Sequence, residues 1–266
     1  MKHWLSNTAQ AAADLVMAAV PRRKPCNAAM EQCKIVSHRG QHDKNTTARE
    51  NTLAAFEAAR AGGVWGIETD IRWTADLVPV LIHDPDTARV FGPKVTAADV
   101  TFAELRAAVP DVPSLAELVT RFGGNTHLML ELKAEIFPEI ESQKRILREH
   151  LAGLEPGRDY HILALDPGLF ETLGIEPRSC CLSVALENMA EIHRRTLGTP
   201  YGGITGHYLL LNGAIRRAHE AEGRRVGTGF VASRNCLCRE INREVEWIFS
   251  NDAVAMQKIV DELRGQ

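Results

Sequence analysis

Short β-rich runs alternate with longer segments of helical period from Lys34 to the end of the chain. Parallel strands need a crossover of about a dozen residues, usually a helix, and this alternation provides one between successive runs. The runs predict strands at 35–37, 66–71, 127–132, 160–164, 179–184, 202–205, 225–230 and 246–249. Eight βα units indicate the α/β class and a closed (β/α)8 TIM barrel.

The segments between these strands have the periodicity of amphipathic helices. The predicted helices are Asn51–Ala61, Ser114–Phe122, Pro138–Leu151, Pro167–Leu173, Leu186–Leu197, Asn212–Glu222, Cys236–Arg243 and Asp252–Leu263. Ser114, Asn212 and Asp252 stand where a helix cap belongs. The run Val78–Ile82 lies too close to the second strand for a crossover helix, so we expect it to fold back as a small hairpin at the barrel mouth.

The chain has 266 residues, which suits a single barrel of roughly 250 residues preceded by a short extension. We predict an N-terminal helical extension over residues 1–33 and the barrel over residues 34–266. Apolar residues between Leu5 and Ala19 recur at helical spacing, and the basic run Pro21–Pro25 ends that helix. The helix is expected to pack against the outside of the barrel or its N-terminal end. A weak contact with a membrane surface or a second copy is the alternative.

Charge and composition narrow the range of partners and compartments. The net charge of −3 implies no basic face for nucleic acid. No stretch has the length and apolar character of a transmembrane segment, and polar residues interrupt the N-terminal stretch that a secretory signal would need. The six cysteines are scattered without regular spacing, which favours reduced thiols and a cytoplasmic location.

Charged residues lie at the carboxyl ends of three predicted strands. His38 and Arg39 end the first strand, Glu68 and Asp70 the second, and Glu131 and Lys133 the third. The carboxyl ends of barrel strands meet at one mouth, where barrel enzymes keep their active sites. Alternation along a strand puts Glu68 and Asp70 on one side, and likewise Glu131 and Lys133. The two pairs can therefore face one centre.

The chemistry of these residue types suits cleavage of a phosphodiester. Three carboxylates in one mouth repel each other unless a cation neutralises them, and such oxygen ligands suit Mg²⁺ or Ca²⁺ better than zinc, with Mn²⁺ as a further candidate. Arg39 and Lys133 can bind the phosphate. His38 and His83, the latter carried over the mouth by the hairpin, can divide the proton transfers. His207 follows the sixth strand and is a candidate for lining the substrate.

Several segments resemble one family, the glycerophosphodiester phosphodiesterases, whose barrel is related to that of phosphatidylinositol phospholipase C. The resemblance is dense over about residues 34–133 and sparse beyond. The segments that carry it are His38–Gly40, Glu50–Phe56, Gly66–Ile71, Thr74–Asp76, Val80–Pro85, Val112–Leu115 and Leu130–Lys133. The sequence departs from the family pattern in the seventh strand, where relatives commonly carry a tryptophan and this chain has Thr228–Asn235.

The resemblance implies a role for each matching residue. His38 and His83 act as general acid and base, Glu68, Asp70 and Glu131 hold the metal, and Arg39 and Lys133 contact the phosphate. The implied reaction converts a small-molecule glycerophosphodiester into an alcohol and glycerol 3-phosphate. Two alternatives stay open: an activity like that of lysophospholipase D or sphingomyelinase D, and a catalytically silent barrel that binds phosphodiesters.

Overall fold

The structure is a computed structural model that describes residues 2–265, with side chains described from residue 10 onward. Its strands are β1 (Lys34–His38), β2 (Gly66–Trp73), β3 (Pro79–Leu81), β4 (His127–Leu132), β5 (Tyr160–Ala164), β6 (Cys181–Ala185), β7 (Gly203–His207), β8 (Arg225–Gly229) and β9 (Trp247–Ser250). Eight parallel strands close in the order β1-β2-β4-β5-β6-β7-β8-β9, because β9 and β2 both pair with β1. The predicted (β/α)8 barrel is confirmed.

The helices alternate with the barrel strands as the sequence predicts. They are α1 (Lys2–Ala19), α2 (Asn27–Gln32), α3 (Leu53–Ala61), α4 (Ala88–Phe91), α5 (Phe102–Ala108), α6 (Leu115–Phe122), α7 (Ile140–Leu151), α8 (Gly168–Thr172), α9 (Met189–Thr196), α10 (Gly213–Ala221), α11 (Arg234–Asn242) and α12 (Ala253–Arg264). Ser114 and Asn212 cap α6 and α10 through their side chains, whereas Asp252 makes no side-chain cap bond. The helix predicted from Asn51 begins at Leu53, because Thr52 caps it and Asn51 has a left-handed φ of 54°.

The predicted hairpin is present at the barrel mouth. Strand β3 runs antiparallel to β2, with Ile71 opposite Leu81. Leu81 joins the main core, while its neighbours Val80 and Ile82 face a smaller, separate core. That smaller core is formed by Val80, Ile82, Val90, Phe91, Ala97, Leu105, Val109 and Val112. The segment between β2 and α6 is thus a small packing unit of its own.

A pair of buried histidines lies at the floor of the barrel, where β4 and β5 begin. His127 Nε2 lies 2.7 Å from His161 Nδ1, and His127 Nδ1 lies 2.8 Å from the carbonyl oxygen of Arg158. The rings also pack on Trp65 and Trp247. Burial lowers the pKa of His127 to about 4, and burial together with the neighbouring His127 lowers the pKa of His161 to about 3.

This pair should make the fold less stable in acid. Below the ordinary histidine pKa of 6.5, these histidines bind protons in the unfolded chain. In the folded protein they stay neutral until the pH falls to about 4. The free energy of unfolding should therefore fall as the pH drops through that window, by up to about 1.4 kcal/mol per pH unit for each histidine. Urea unfolding at several pH values would measure the slope. The double variant His127→Asn/His161→Asn should have a shallower slope, and an unchanged slope would contradict the assignment.

The first helix packs beside α11 on the outside of the barrel. Tyr208 Oη, just after β7, donates to Asp14 at 2.8 Å, and Asn235 Nδ2 at the start of α11 donates to the carbonyl oxygen of Ala18 at 2.6 Å. Both contacts lie near the carboxyl ends of the strands. These hydrogen bonds place α1 on the mouth side of the barrel and not at its N-terminal end. The division into an extension over residues 1–33 and a barrel over residues 34–266 stays a prediction.

Leu15 and Val16 on α1 are exposed. The contact of this helix with a membrane surface or a second copy stays a prediction. Within residues 2–265, no helix combines the length and the apolar character needed to cross a membrane.

Candidate active site

Three carboxylates converge at the mouth of the barrel, as the sequence predicts. Glu68 and Asp70 lie on β2, and Glu131 lies on β4, where it is the direct partner of Asp70 across the two strands. One oxygen atom from each lies within 4.8 Å of the others. All three side chains are almost fully buried. Buried carboxylates so close together need positive charge nearby.

The charges within the cluster are distributed unevenly. Burial and the charges of Asp70 and Glu131 raise the pKa of Glu68 well above its ordinary value, and burial and Asp70 likewise raise the pKa of Glu131. Burial also acts on Asp70, but Lys133 and Arg39 outweigh it and hold the pKa of Asp70 below its ordinary value. Asp70 is therefore the carboxylate that stays ionised. Glu68 and Glu131 are the two carboxylates whose repulsion by Asp70 the cations do not relieve.

The two predicted phosphate-binding cations lie against this cluster. Lys133 Nζ is 2.8 Å from Asp70 Oδ1 and also pairs with Glu131. Arg39 Nε is 3.2 Å from Asp70 Oδ2, and the backbone N–H of Arg39 donates to Glu68 Oε2 at 3.0 Å. Arg39 has a left-handed φ of 57°, a strained conformation for a residue with a side chain. That turn brings its guanidinium back over β2.

The donor set fits a divalent cation. Glu68, Asp70 and Glu131 offer only carboxylate oxygens, the ligands that Mg²⁺ and Ca²⁺ prefer. Burial, together with repulsion from Asp70, raises the pKa of Glu68 and of Glu131, although Lys133 and Arg39 act in the opposite direction. A cation bound among the three oxygens would relieve that repulsion and keep all three carboxylates ionised.

His38 ends β1 beside the cluster. Its Nδ1 lies 2.6 Å from Asn251 Oδ1, and its Nε2 lies 3.8 Å from Glu68 Oε2. An amide oxygen accepts only from a protonated ring nitrogen, so Nδ1 carries the hydrogen and Nε2 is left to face the mouth. Although 31% of the side chain is exposed, burial among protein atoms and the charge of Arg39 lower the pKa of His38 to about 4.

His83 follows β3 and reaches the cluster from the hairpin. Its Nδ1 lies 2.7 Å from Asp84 Oδ1, so this ring too presents Nε2 to the mouth. Its carbonyl oxygen accepts from Arg72 Nε at 2.8 Å, which fastens the hairpin to β2. Burial lowers the pKa of His83, and the charge of Asp70 acts in the opposite direction. The structure thus brings together seven of the eight predicted site residues.

His207 is the exception. It ends β7, which stands on the far side of the barrel from β2 in the strand order. Its Nδ1 accepts from the backbone N–H of Leu209 at 3.1 Å, and its Nε2 bonds the side chain of Gln10 on α1. The ring also stacks on Phe230 at 5.1 Å between centroids. Both ring nitrogens are therefore engaged within the protein, and the structure does not bring His207 to the carboxylate cluster.

Sequence reasoning gave no role to four polar residues that support the site. Asn51 Nδ2 donates to Asp70 Oδ2 at 2.9 Å, and its left-handed backbone is what turns it inward. Glu50 accepts from Arg39 at 3.0 Å and from Arg89 at 2.6 Å, and Asn251 orients His38. Glu50 and Asn51 lie within Glu50–Phe56, one of the segments that resemble the family. That resemblance was the signal in the sequence that could have pointed to them. Arg89 and Asn251 had no comparable signal, since their partners are distant in the sequence.

The fold and this mouth define a TIM-barrel protein with an acidic, cation-flanked centre. Residues 38–167 match the model of the glycerophosphoryl diester phosphodiesterase family. That region contains all seven of the residues that the mouth brings together. The match thus indicates the glycerophosphoryl diester phosphodiesterase family for this part of the chain, which is just under half of its length.

Individual relatives agree with the family match. The chain is 29% identical over 134 residues to glycerophosphodiester phosphodiesterase 1 of Bos taurus, covering 45% of this chain and 39% of the relative. It is 32% identical over 133 residues to a glycerophosphodiester phosphodiesterase of Bacillus altitudinis, covering 44% and 53%. The chain thus spans only about half, or less, of the curated relatives that it matches.

The fold extends the likeness beyond the matched region. An Oleispira antarctica phosphodiesterase, solved in complex with the product sn-glycerol-3-phosphate, superposes with a TM-score of 0.71 over 86% of this chain and 96% of that one. The two sequences are 18% identical, so this comparison establishes the shared barrel.

Proposed function

We propose that this protein is a metal-dependent phosphodiesterase that hydrolyses glycerophosphodiesters to an alcohol and glycerol 3-phosphate. The observation that carries the proposal is the arrangement of the mouth. Two histidines, each with Nδ1 held by an acceptor, flank three buried carboxylates and two cations. A site that only bound phosphodiesters would need the cations but not two oriented proton carriers.

The proposed site residues take separate roles. Arg39 and Lys133 bind the phosphate oxygens, and His38 and His83 move protons at their Nε2 atoms. One histidine accepts the proton of the attacking hydroxyl or water while the oxygen of that nucleophile forms a bond to phosphorus. The other donates a proton to the leaving alkoxide as the old P–O bond breaks. His207 is left out of the phosphate-binding set, because its ring nitrogens are engaged elsewhere.

Glu68, Asp70 and Glu131 are the proposed metal ligands. Carboxylate ligands favour Mg²⁺ or Ca²⁺, with Mn²⁺ as a further candidate. When bound, such an ion supplies charge stabilisation at a phosphoryl oxygen. The six cysteines are free and four of them are buried, which supports the proposal of a reducing, cytoplasmic location.

The test is the release of glycerol 3-phosphate from a panel of glycerophosphodiesters. The assay is run with Mg²⁺, Ca²⁺ or Mn²⁺ and with a chelator. We expect turnover that the chelator abolishes and that one of the ions restores. Absence of turnover on every phosphodiester, with binding retained, would overturn the proposal and favour a silent binding barrel.

A further inference from the structure

One guanidinium group lies between two parts of the candidate active site. Arg89 stands on the one-turn helix α4 of the small packing unit between β2 and α6, called the hairpin unit below. Its neighbours Val90 and Phe91 are buried in the core of that unit. Three nitrogen atoms of Arg89 donate to two carboxylates: Nε to Asp84 Oδ2 at 2.5 Å, and the two terminal nitrogens to Glu50 at 2.6 and 3.1 Å. Arg89 thus joins an acid of the hairpin unit to an acid of the loop between β1 and α3.

Asp84 connects Arg89 to the proposed proton carrier His83. Asp84 Oδ1 lies 2.7 Å from His83 Nδ1, and the bond from Arg89 occupies the other oxygen of the same carboxylate. A carboxylate with a single partner can still rotate about its side-chain bonds, whereas a second anchor removes that freedom. Active-site histidines are commonly oriented by a third group in this way. Arg89 therefore fixes the direction in which His83 Nε2 points.

Glu50 connects Arg89 to Arg39. Only 5% of the Glu50 side chain is exposed, and it accepts from Arg39 at 3.0 Å as well as from Arg89. Burial opposes its ionisation, but the hydrogen bond from Arg89 and the charge of Arg39 outweigh burial and lower the pKa of Glu50 to about 2. Two guanidinium groups repel each other, so the anion between them holds both in place. Arg89 therefore also fixes the position of Arg39 relative to the hairpin unit.

We propose that Arg89 is a positioning residue that aligns two groups of the reaction carried by separate elements. Through Asp84 it orients the proton carrier His83 of the hairpin unit. Through Glu50 it places the proposed phosphate-binding Arg39 of the loop after β1. The junction needs a guanidinium, because a lysine ammonium is a single point charge that cannot give three directed bonds to two acids. This inference rests on the function proposed above.

The kinetic test is the variant Arg89→Ala, assayed on a glycerophosphodiester that the wild type hydrolyses. Its kcat should fall about a hundredfold, the cost of displacing a catalytic group by about 1 Å, and its KM should rise because Arg39 is no longer held. Arg89→Lys should remain well below the wild type. The side chain of Arg89 is 46% exposed, so added guanidinium ion should restore part of kcat in Arg89→Ala and methylammonium should not. Wild-type kcat in Arg89→Lys would overturn the inference.

Arg106→Ala is the matched control. Arg106 also ties the hairpin unit to the barrel, by a two-pronged bond to Glu117 at the start of α6, but its hydrogen bonds do not go to the site residues. It should lower the unfolding temperature about as much as Arg89→Ala does and leave kcat and KM at the wild-type level. An equal loss of kcat in Arg106→Ala would show that any loosening of the hairpin unit suffices, and would overturn the positioning role.

A second measurement follows the ring of His83 without any need for turnover. Nitrogen NMR of isotope-labelled histidine shows which ring nitrogen carries the hydrogen, and the signals of His83 are assigned by their loss in His83→Ala. The wild type should show the Nδ1–H form, whereas Arg89→Ala should shift toward the Nε2–H form that free side chains prefer. An unchanged Nδ1–H form in Arg89→Ala would overturn the inference. Absence of turnover in the wild type would instead count against the proposed function, and the NMR result would still decide the role of Arg89.

Discussion

Replacing Glu68 by glutamine is expected to lower kcat by about a thousandfold or more without unfolding the protein. Loss of a proposed metal ligand should remove several kcal/mol of transition-state stabilisation, and about 4 kcal/mol corresponds to a factor of a thousand. The fold should tolerate the change, because Glu68 is repelled by Asp70 and Glu131. The amide oxygen of glutamine can still accept from the backbone N–H of Arg39. Steady-state kinetics and thermal unfolding measure the two effects.

Thermal unfolding also separates metal binding from catalysis. A ligand that binds only the folded state raises the unfolding temperature, so Mg²⁺ or Ca²⁺ should stabilise the wild type and not Glu68→Gln. Without metal, the variant should unfold at the same temperature as the wild type or higher. Glu57→Gln on α3 is the control, since Glu57 pairs with Arg60 and Arg121 away from the mouth. Normal turnover and a normal metal-induced shift in Glu68→Gln would remove this residue from the ligand set.

His38→Ala and His83→Ala should each lower kcat by about a hundredfold to ten-thousandfold, the usual worth of a positioned acid or base. KM should change much less, because the proposed phosphate-binding residues Arg39 and Lys133 are unchanged. Added imidazole should restore part of the turnover in each variant, which a purely structural role would not allow. The readout is kcat with and without imidazole.

His150→Ala provides the matched histidine control. His150 lies on the last turn of α7 outside the mouth, so kcat should stay at the wild-type level. If His83→Ala retained kcat within a factor of about three, His83 would not be one of the two proton carriers, and the hairpin would have only a structural role.

The barrel and the charged residues at the strand ends could be predicted from the sequence because both are local patterns. Strand periodicity places Glu68 with Asp70 and Glu131 with Lys133, and parallel pairing then forces the two pairs together. The hairpin that carries His83 follows from the short spacing between β2 and β3. These signals depend on neighbouring residues and on the rules of parallel sheets.

Supporting contacts over long sequence distances escaped prediction. Asn251 meets His38 across 213 residues, and Arg89 meets Glu50 across 39. The left-handed backbone of Asn51, which takes it out of the predicted helix, serves its bond to Asp70. His207 was placed correctly at the mouth, but its neighbour Gln10 on the N-terminal helix could not be foreseen. Such contacts depend on loop geometry that periodicity does not encode.

The two catalytic candidates, His38 and His83, lie on parts of the molecule that differ in local stability. His38 sits on a barrel strand hydrogen-bonded on both sides, whereas His83 follows the three-residue strand β3, whose unit has its own small core. Units with separate cores can open by local unfolding at a lower free energy than the whole protein. Partial denaturation should therefore separate the two histidines while the barrel stays closed, so the protein should lose its proposed activity before it loses its fold.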